Sequence, residues 1–218
     1  YRDLGPAMAR RSRALWSRDQ KQELTERPEP VVTTTFSETH AFDLGGRRFE
    51  LHSVPGGETI CSLVVWLPQN RVVFTGNMTG PIFGHVPNLY TVRGERYRYV
   101  QLYLDSVQRV IDLAPEVLIT GHGEPLRGAE TIRASLTKMR DCVQSLRDQV
   151  FAGMNAGVDL WTLMRTVKMP PELAIGQGHG KVPWIVRAIW EEHFGWFRFE
   201  SSTELYDVPP QAVFPELI

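Results

Sequence analysis

A layered α/β (α+β) domain followed by a helical appendage is the architecture this sequence predicts, on three observations. Short β-branched and apolar runs fill the chain as far as Phe74, a helix and then a strand follow between Arg96 and Thr120, and beyond Gly128 every periodic segment is helical. The division falls at residue 128, giving an α/β unit over 1–128 and a helical region over 129–218.

Residues 5–25 are rich in Arg, Ala, Leu and Glu, with Met8, Leu15 and Trp16 as the apolar positions. They read as a helix with a solvated basic face, ended by Pro28 and Pro30. Strands are expected over Val31 to Phe36, Ala41 to Leu44 and Phe49 to Ser53, the last two joined by a Gly45-Gly46 turn. Ile60 to Leu67 and Val72 to Phe74 are nearly continuous apolar runs of the kind inner strands carry, with Pro68-Gln69-Asn70-Arg71 as the hairpin between them. Arg96 to Leu113 has helical periodicity, with Tyr99, Leu102, Val107, Val110 and Ile111 facing inward. Val117 to Thr120 is a short buried strand that ends at Gly121-His122-Gly123. Helices are then expected over 129–151, 158–167 and 183–194. Trp161, Trp184, Trp190 and Trp196 bring more aromatic mass than one short helical layer hides. They either form a dimer interface or pack back on the first domain, and the dimer is the expectation carried forward.

Composition narrows the function classes. Of 218 residues, 42% are hydrophobic and 22% charged, ordinary values for a globular chain. A net charge of −1 offers no electrostatic case for nucleic acid or for an anionic membrane surface. No apolar run reaches the roughly 18 residues of a membrane span. Cys61 and Cys142 set no disulfide framework and are expected as buried free thiols. The opening Tyr1-Arg2-Asp3-Leu4 has neither an initiator Met nor a signal-type hydrophobic region, so an interior segment of a longer protein is expected.

Three loops next to predicted strands carry the chemistry: Ser53-Val54-Pro55-Gly56-Gly57-Glu58-Thr59, Thr75-Gly76-Asn77, and Thr120-Gly121-His122-Gly123-Glu124-Pro125. Each sets one polar or metal-capable side chain among small residues at a strand end, where loops of layered folds meet in a ligand crevice. Taken singly, Glu58 reads as a solvated turn residue, His122 as a structural hydrogen-bonding histidine and Asn77 as a turn cap. His179 lies in a Gly-rich loop that lacks the strand–helix context of a phosphate cradle.

Their order says more. A Pro-Gly-Gly loop, a hairpin, Phe-Thr-Gly-Asn, a helix and Leu-Ile-Thr-Gly-His-Gly together resemble the second half of the metallo-β-lactamase αββα sandwich. Pro87-Asn88-Leu89-Tyr90-Thr91-Val92-Arg93-Gly94 resembles the Asn-Leu-Tyr-Thr-Leu-Arg-Gly motif of its alkylsulfatase branch. That branch also carries Glu in the Pro-Gly loop, matching Glu58, and a helical dimerisation region that Val186-Arg187-Ala188-Ile189-Trp190 and Gly195-Trp196-Phe197 match. The likeness runs over roughly residues 5–208.

The resemblance implies a metal-dependent hydrolase that cleaves a sulfate or related ester by zinc-hydroxide attack, with one or two zinc ions. Glu58 and His122 would be metal ligands. Asn88 and Arg93 would bind the sulfate, whose oxygens suit amide and guanidinium donors. Asn77 and His85 are the candidate catalytic residues, Asn77 orienting water and His85 lining the pocket or moving a proton. Two departures stand out. Asn77 occupies a position where the family has an acid, and a neutral amide is a poor zinc ligand. The family's His-x-His-x-Asp-His run is absent from this sequence. The resemblance therefore implies a missing N-terminal segment with the other ligands, a homodimer, and a small-molecule ester substrate. Lactonase, β-lactamase or thioesterase activity on the same scaffold, or an inactive fragment, are the alternatives.

Overall fold

The computed structural model describes residues 31–90, 98–197 and Leu205. A mixed sheet of six strands runs in sequence order: β1 (Thr39–Leu44), β2 (Arg47–Ser53), β3 (Leu63–Leu67), β4 (Val72–Gly76), β5 (Val117–Thr120) and β6 (Leu126–Arg127). Only β4 and β5 pair in parallel, because helix α1 (Val100–Asp112) crosses between them. Among the described residues three α-helices follow: α2 (Ala129–Asn155), α3 (Leu160–Thr166) and α4 (Val182–Phe194).

Most predicted elements fall where the apolar pattern put them, and four expectations need correction, the first being Tyr99, expected to face inward but 37% exposed while Tyr103 is buried. Val31 to Phe36 has no regular structure, although its residues are β-branched. The β1–β2 ladder begins with Thr39 opposite His52, and the Ser53 N–H to Glu38 carbonyl bond closes it, so among the described residues no strand pairs with the earlier ones. The apolar run from Ile60 becomes a strand only at Leu63. Ser62 Oγ accepts the N–H groups of Glu58 (3.2 Å) and Thr59 (2.7 Å), which turns the chain before the ladder starts. That turn also leaves Cys61 exposed instead of buried, while Cys142 is buried as expected.

Period-two alternation sorts the sheet into two faces. Val64, Trp66, Val73 and Leu118 point to one face and are buried beneath the helices. There Tyr103, Val107 and Val110 of α1 meet Ile132, Leu136 and Val143 of α2. The same buried cluster continues without a break to Leu163 of α3 and Ile185 and Ile189 of α4, so the helical region shares one core with the sheet. The register places Phe42, Phe49, Leu51, Leu63, Val65, Phe74 and Ile119 on the opposite face. There Phe42 and Leu63 are each 39% exposed and Phe74 is 40% exposed.

Long-range caps fix the helices that border the loops. No side chain of its own caps α1; Glu192 of α4 accepts the Val100 N–H at 3.1 Å instead. Helix α3 starts at Asp159, whose carboxylate accepts from Thr162 N at 3.0 Å. Hydrogen bonding from the Thr162 side chain, and then from its backbone N–H, holds the Asp159 carboxyl below the usual range. Among the described residues, no helix is long and apolar enough to cross a membrane.

Candidate metal and anion site

The Pro-Gly loop, the Thr-Gly-Asn turn and the Gly-His-Gly loop leave or enter neighbouring strands β3, β4 and β5, and contacts tie them together. Ser106 Oγ of α1 donates to Pro55 O at 2.8 Å, holding the first loop against the helix. A Cβ on Gly57 would lie 2.6 Å from Met78 Cγ, so only glycine lets this loop reach the turn after β4. A Cβ on Gly121 would lie 2.5 Å from Asn77 Oδ1, and Gly121 N donates to Gly76 O at 2.8 Å. The Asn77 carboxamide thus sits directly against the Gly-His-Gly loop. Beneath them, Thr75 is buried and its hydroxyl donates to Ile119 O at 3.4 Å.

Sequence-predicted residues take different places in this arrangement. Glu58 is half-buried and ion-paired to Arg98, with Nη2 to Oε1 at 3.3 Å. His122 is exposed at the tip of its loop, its carbonyl accepting from the Thr120 hydroxyl. Asn88 has a buried Oδ1 that finds no hydrogen-bond partner among the described residues. An orphaned acceptor of this kind is what a ligand or a further protein segment completes. Arg93 lies outside the described residues.

His85 is drawn into a contact with the helical region. Gly178 N donates to His85 Nδ1 at 2.8 Å, Gly176 and Gly178 flank the ring, and Val86 N donates to Gly176 O at 2.8 Å. The imidazole therefore clips the Gly-rich loop onto the segment that leads to Asn88.

Arg98 is the residue that sequence reading passed over. Only 8% exposed, it donates through Nη1 to Asn88 O at 2.7 Å, and its own N–H donates to Leu89 O at 3.3 Å. One guanidinium thus joins the Glu58 loop to the Asn88 motif. In the sequence it stands in Tyr97-Arg98-Tyr99, where nothing local marks it as buried.

For a metal, the donor chemistry fits in part. A carboxylate and an imidazole are both zinc donors, whereas a catalytic zinc takes three ligands from protein. Among the described residues no group of three His, Cys, Asp or Glu side chains gathers to hold an ion. Glu58 and His122 therefore suit two positions of such a centre and leave at least one to come from elsewhere.

The fold and its loops match a known family. The model of the metallo-beta-lactamase superfamily matches residues 3–122, and the chain belongs to that superfamily, whose members generally bind metal ions. Within it, the chain is similar to the alkylsulfatases. It is 30% identical over 184 residues to a linear primary-alkylsulfatase of a Pseudomonas species, covering 82% of this chain and 34% of that protein. It is 27% identical over 176 residues to an alkyl/aryl-sulfatase of Saccharomyces cerevisiae, covering 78% of this chain and 27% of that one. The chain thus spans about a quarter to a third of the length of these relatives. Among solved structures, the stereoselective inverting sec-alkylsulfatase of a Pseudomonas species superposes with a TM-score of 0.70 at 23% identity, covering 82% of this chain and 30% of that one. A metallo-beta-lactamase family protein of Thermus thermophilus shares the fold at a TM-score of 0.51 and 16% identity, covering 87% of this chain and 58% of that one.

Proposed function

We propose that this chain is the C-terminal segment of a metal-dependent hydrolase that cleaves a sulfate or related ester. The observation that carries the reading is the joining of the three strand-end loops, with Glu58 linked through Arg98 to the Asn88 motif. The 30% identity to a linear primary-alkylsulfatase supports sulfate as the anion.

In this reading Glu58 and His122 hold zinc, which when bound supplies Lewis acidity and an activated water at neutral pH. Asn88 and Arg93 bind the sulfate oxygens and offset their charge. Asn77 orients water or substrate by hydrogen bonding, since its amide brings no charge to a metal. His85 acts by holding the Gly-rich loop beside the substrate motif. The remaining ligands come from a further segment outside the described residues. The apolar, partly exposed sheet face supports this, because a segment that packs there would cover it. Exposed Trp161, Trp184 and Trp196 support a homodimer through the helical region.

Turnover of medium-chain alkyl sulfates by the intact protein, with and without chelator, tests the proposal. Chelator-sensitive sulfate release is expected. Asn77 in an acid's position favours a second reading, hydrolysis of a lactone or thioester. Good turnover of those substrates with none of any sulfate ester would put it in first place.

A further inference from the structure

We propose that Arg98 is a positioning residue that fixes the candidate metal ligand Glu58 and the candidate anion-binding Asn88 in one geometry. The proposal rests on the reading of Glu58 and Asn88 given above. Its guanidinium spans the two motifs, with Nη2 3.3 Å from Glu58 Oε1 and Nη1 donating to Asn88 O at 2.7 Å. The Arg98 side chain is 7% exposed against 31% for Glu58, so the arginine lies on the inner side of the pair.

That order has a chemical consequence. Arginine keeps its proton in proteins, so the inner side of the pair presents N–H donors to the Glu58 carboxylate and takes no metal-binding place itself. An ionised carboxylate has lone pairs enough to accept from an arginine and also to bind a metal, and partners outside the ligand set orient ligands in this way. The planar fork of a guanidinium fixes two acceptors at a set separation, which a lysine ammonium on its flexible stem does not.

The backbone beneath Arg98 is anchored as well. Its N–H donates to Leu89 O, and two residues later Glu192 of α4 caps the Val100 N–H. Arg98 therefore stands two residues before α1, with its own N–H and the first N–H of the helix both held, a fixed base for a residue that sets the aim of others.

The experiment measures zinc affinity by chelator competition, and kcat and KM on an alkyl sulfate, for the intact wild-type protein, R98M, R98K, E58Q and R98M/E58Q. R98M is expected to weaken zinc binding about 10- to 100-fold. It is also expected to raise KM through Asn88. R98K keeps the buried charge and removes the fork; it is expected to fold and still to lose about tenfold in zinc affinity. In the E58Q background R98M should add less than about twofold, since both changes act on one ligand. Wild-type zinc affinity in R98K or R98M, or independent effects in the double variant, would leave Arg98 only a clip of the fold and overturn the proposal. A wild-type protein that binds no zinc and releases no sulfate would instead overturn the hydrolase reading, and the positioning role with it.

Discussion

The two faces of the sheet are built from the same kinds of residue and are covered very differently. Val64, Val73 and Leu118 are fully buried under α1 and α2, while Phe74 and Leu63, one residue away along the same strands, remain about two-fifths exposed. Strand propensity and apolar character do not distinguish the faces; the position of the helices does. The covered face holds the core of the described residues, and the other keeps large apolar side chains partly exposed.

The largest expected effect is on the covered face. Leu118→Ala should destabilise the chain by about 2–5 kcal/mol, since truncating a fully buried side chain loses its burial and leaves a cavity. Denaturant unfolding of the chain measures it. Phe74→Ser sharpens the contrast: on this chain alone it should cost under about 1 kcal/mol and reduce self-association. In the intact protein, if a further segment covers the face, the same change should cost about 3 kcal/mol. Equal costs in both settings would mean that the face stays open.

A third test separates the site from the core. Gly121→Ala puts a methyl against Asn77 Oδ1, so the Asn77 carboxamide or the Gly-His-Gly loop must shift. Activity should fall by about 100-fold, as misplacement near the chemistry does, with unfolding midpoints close to wild type. The smallest effect concerns the cysteines. Burial pushes the Cys142 thiol up to about 11, with Lys138 offsetting part of the rise, whereas Cys61 is exposed. Cys61 should alkylate quickly in the folded protein and Cys142 only on unfolding. Because the Cys142 pKa is higher folded than unfolded, its contribution is full below the unfolded value. It declines as pH rises through about 11, so a Cys142→Ala variant should lose less stability across that alkaline range than wild type does.

Local pattern was enough for much of this. The nearly continuous apolar run from Ile60 to Leu67 and the short run Val117–Thr120 located inner strands, and the helical periods located α1, α2, α3 and α4. The turn around Thr59–Ser62 was hidden because a serine hydroxyl, not the apolar run, decides where β3 begins. Two-residue β6 carries too few side chains to make a pattern. Glu58, Asn77 and His122 were marked by glycine-bounded loops in family order. Arg98 and the role of His85 were not legible, because each depends on partners far along the chain: 40 residues for the Arg98–Glu58 pair and 93 for His85–Gly178. A charged residue in an aromatic context reads as surface until its carboxylate partner is in view.

The proposed function requires the Glu58 carboxylate and the His122 imidazole to serve one metal centre. A crystal structure of the zinc-loaded intact protein, with the ion placed by anomalous scattering, tests it most directly. Zinc is predicted within about 2.0–2.2 Å of a Glu58 oxygen and a His122 nitrogen, with its other ligands from outside the described residues. Zinc bound elsewhere, with these two side chains turned to separate surfaces, would contradict the account.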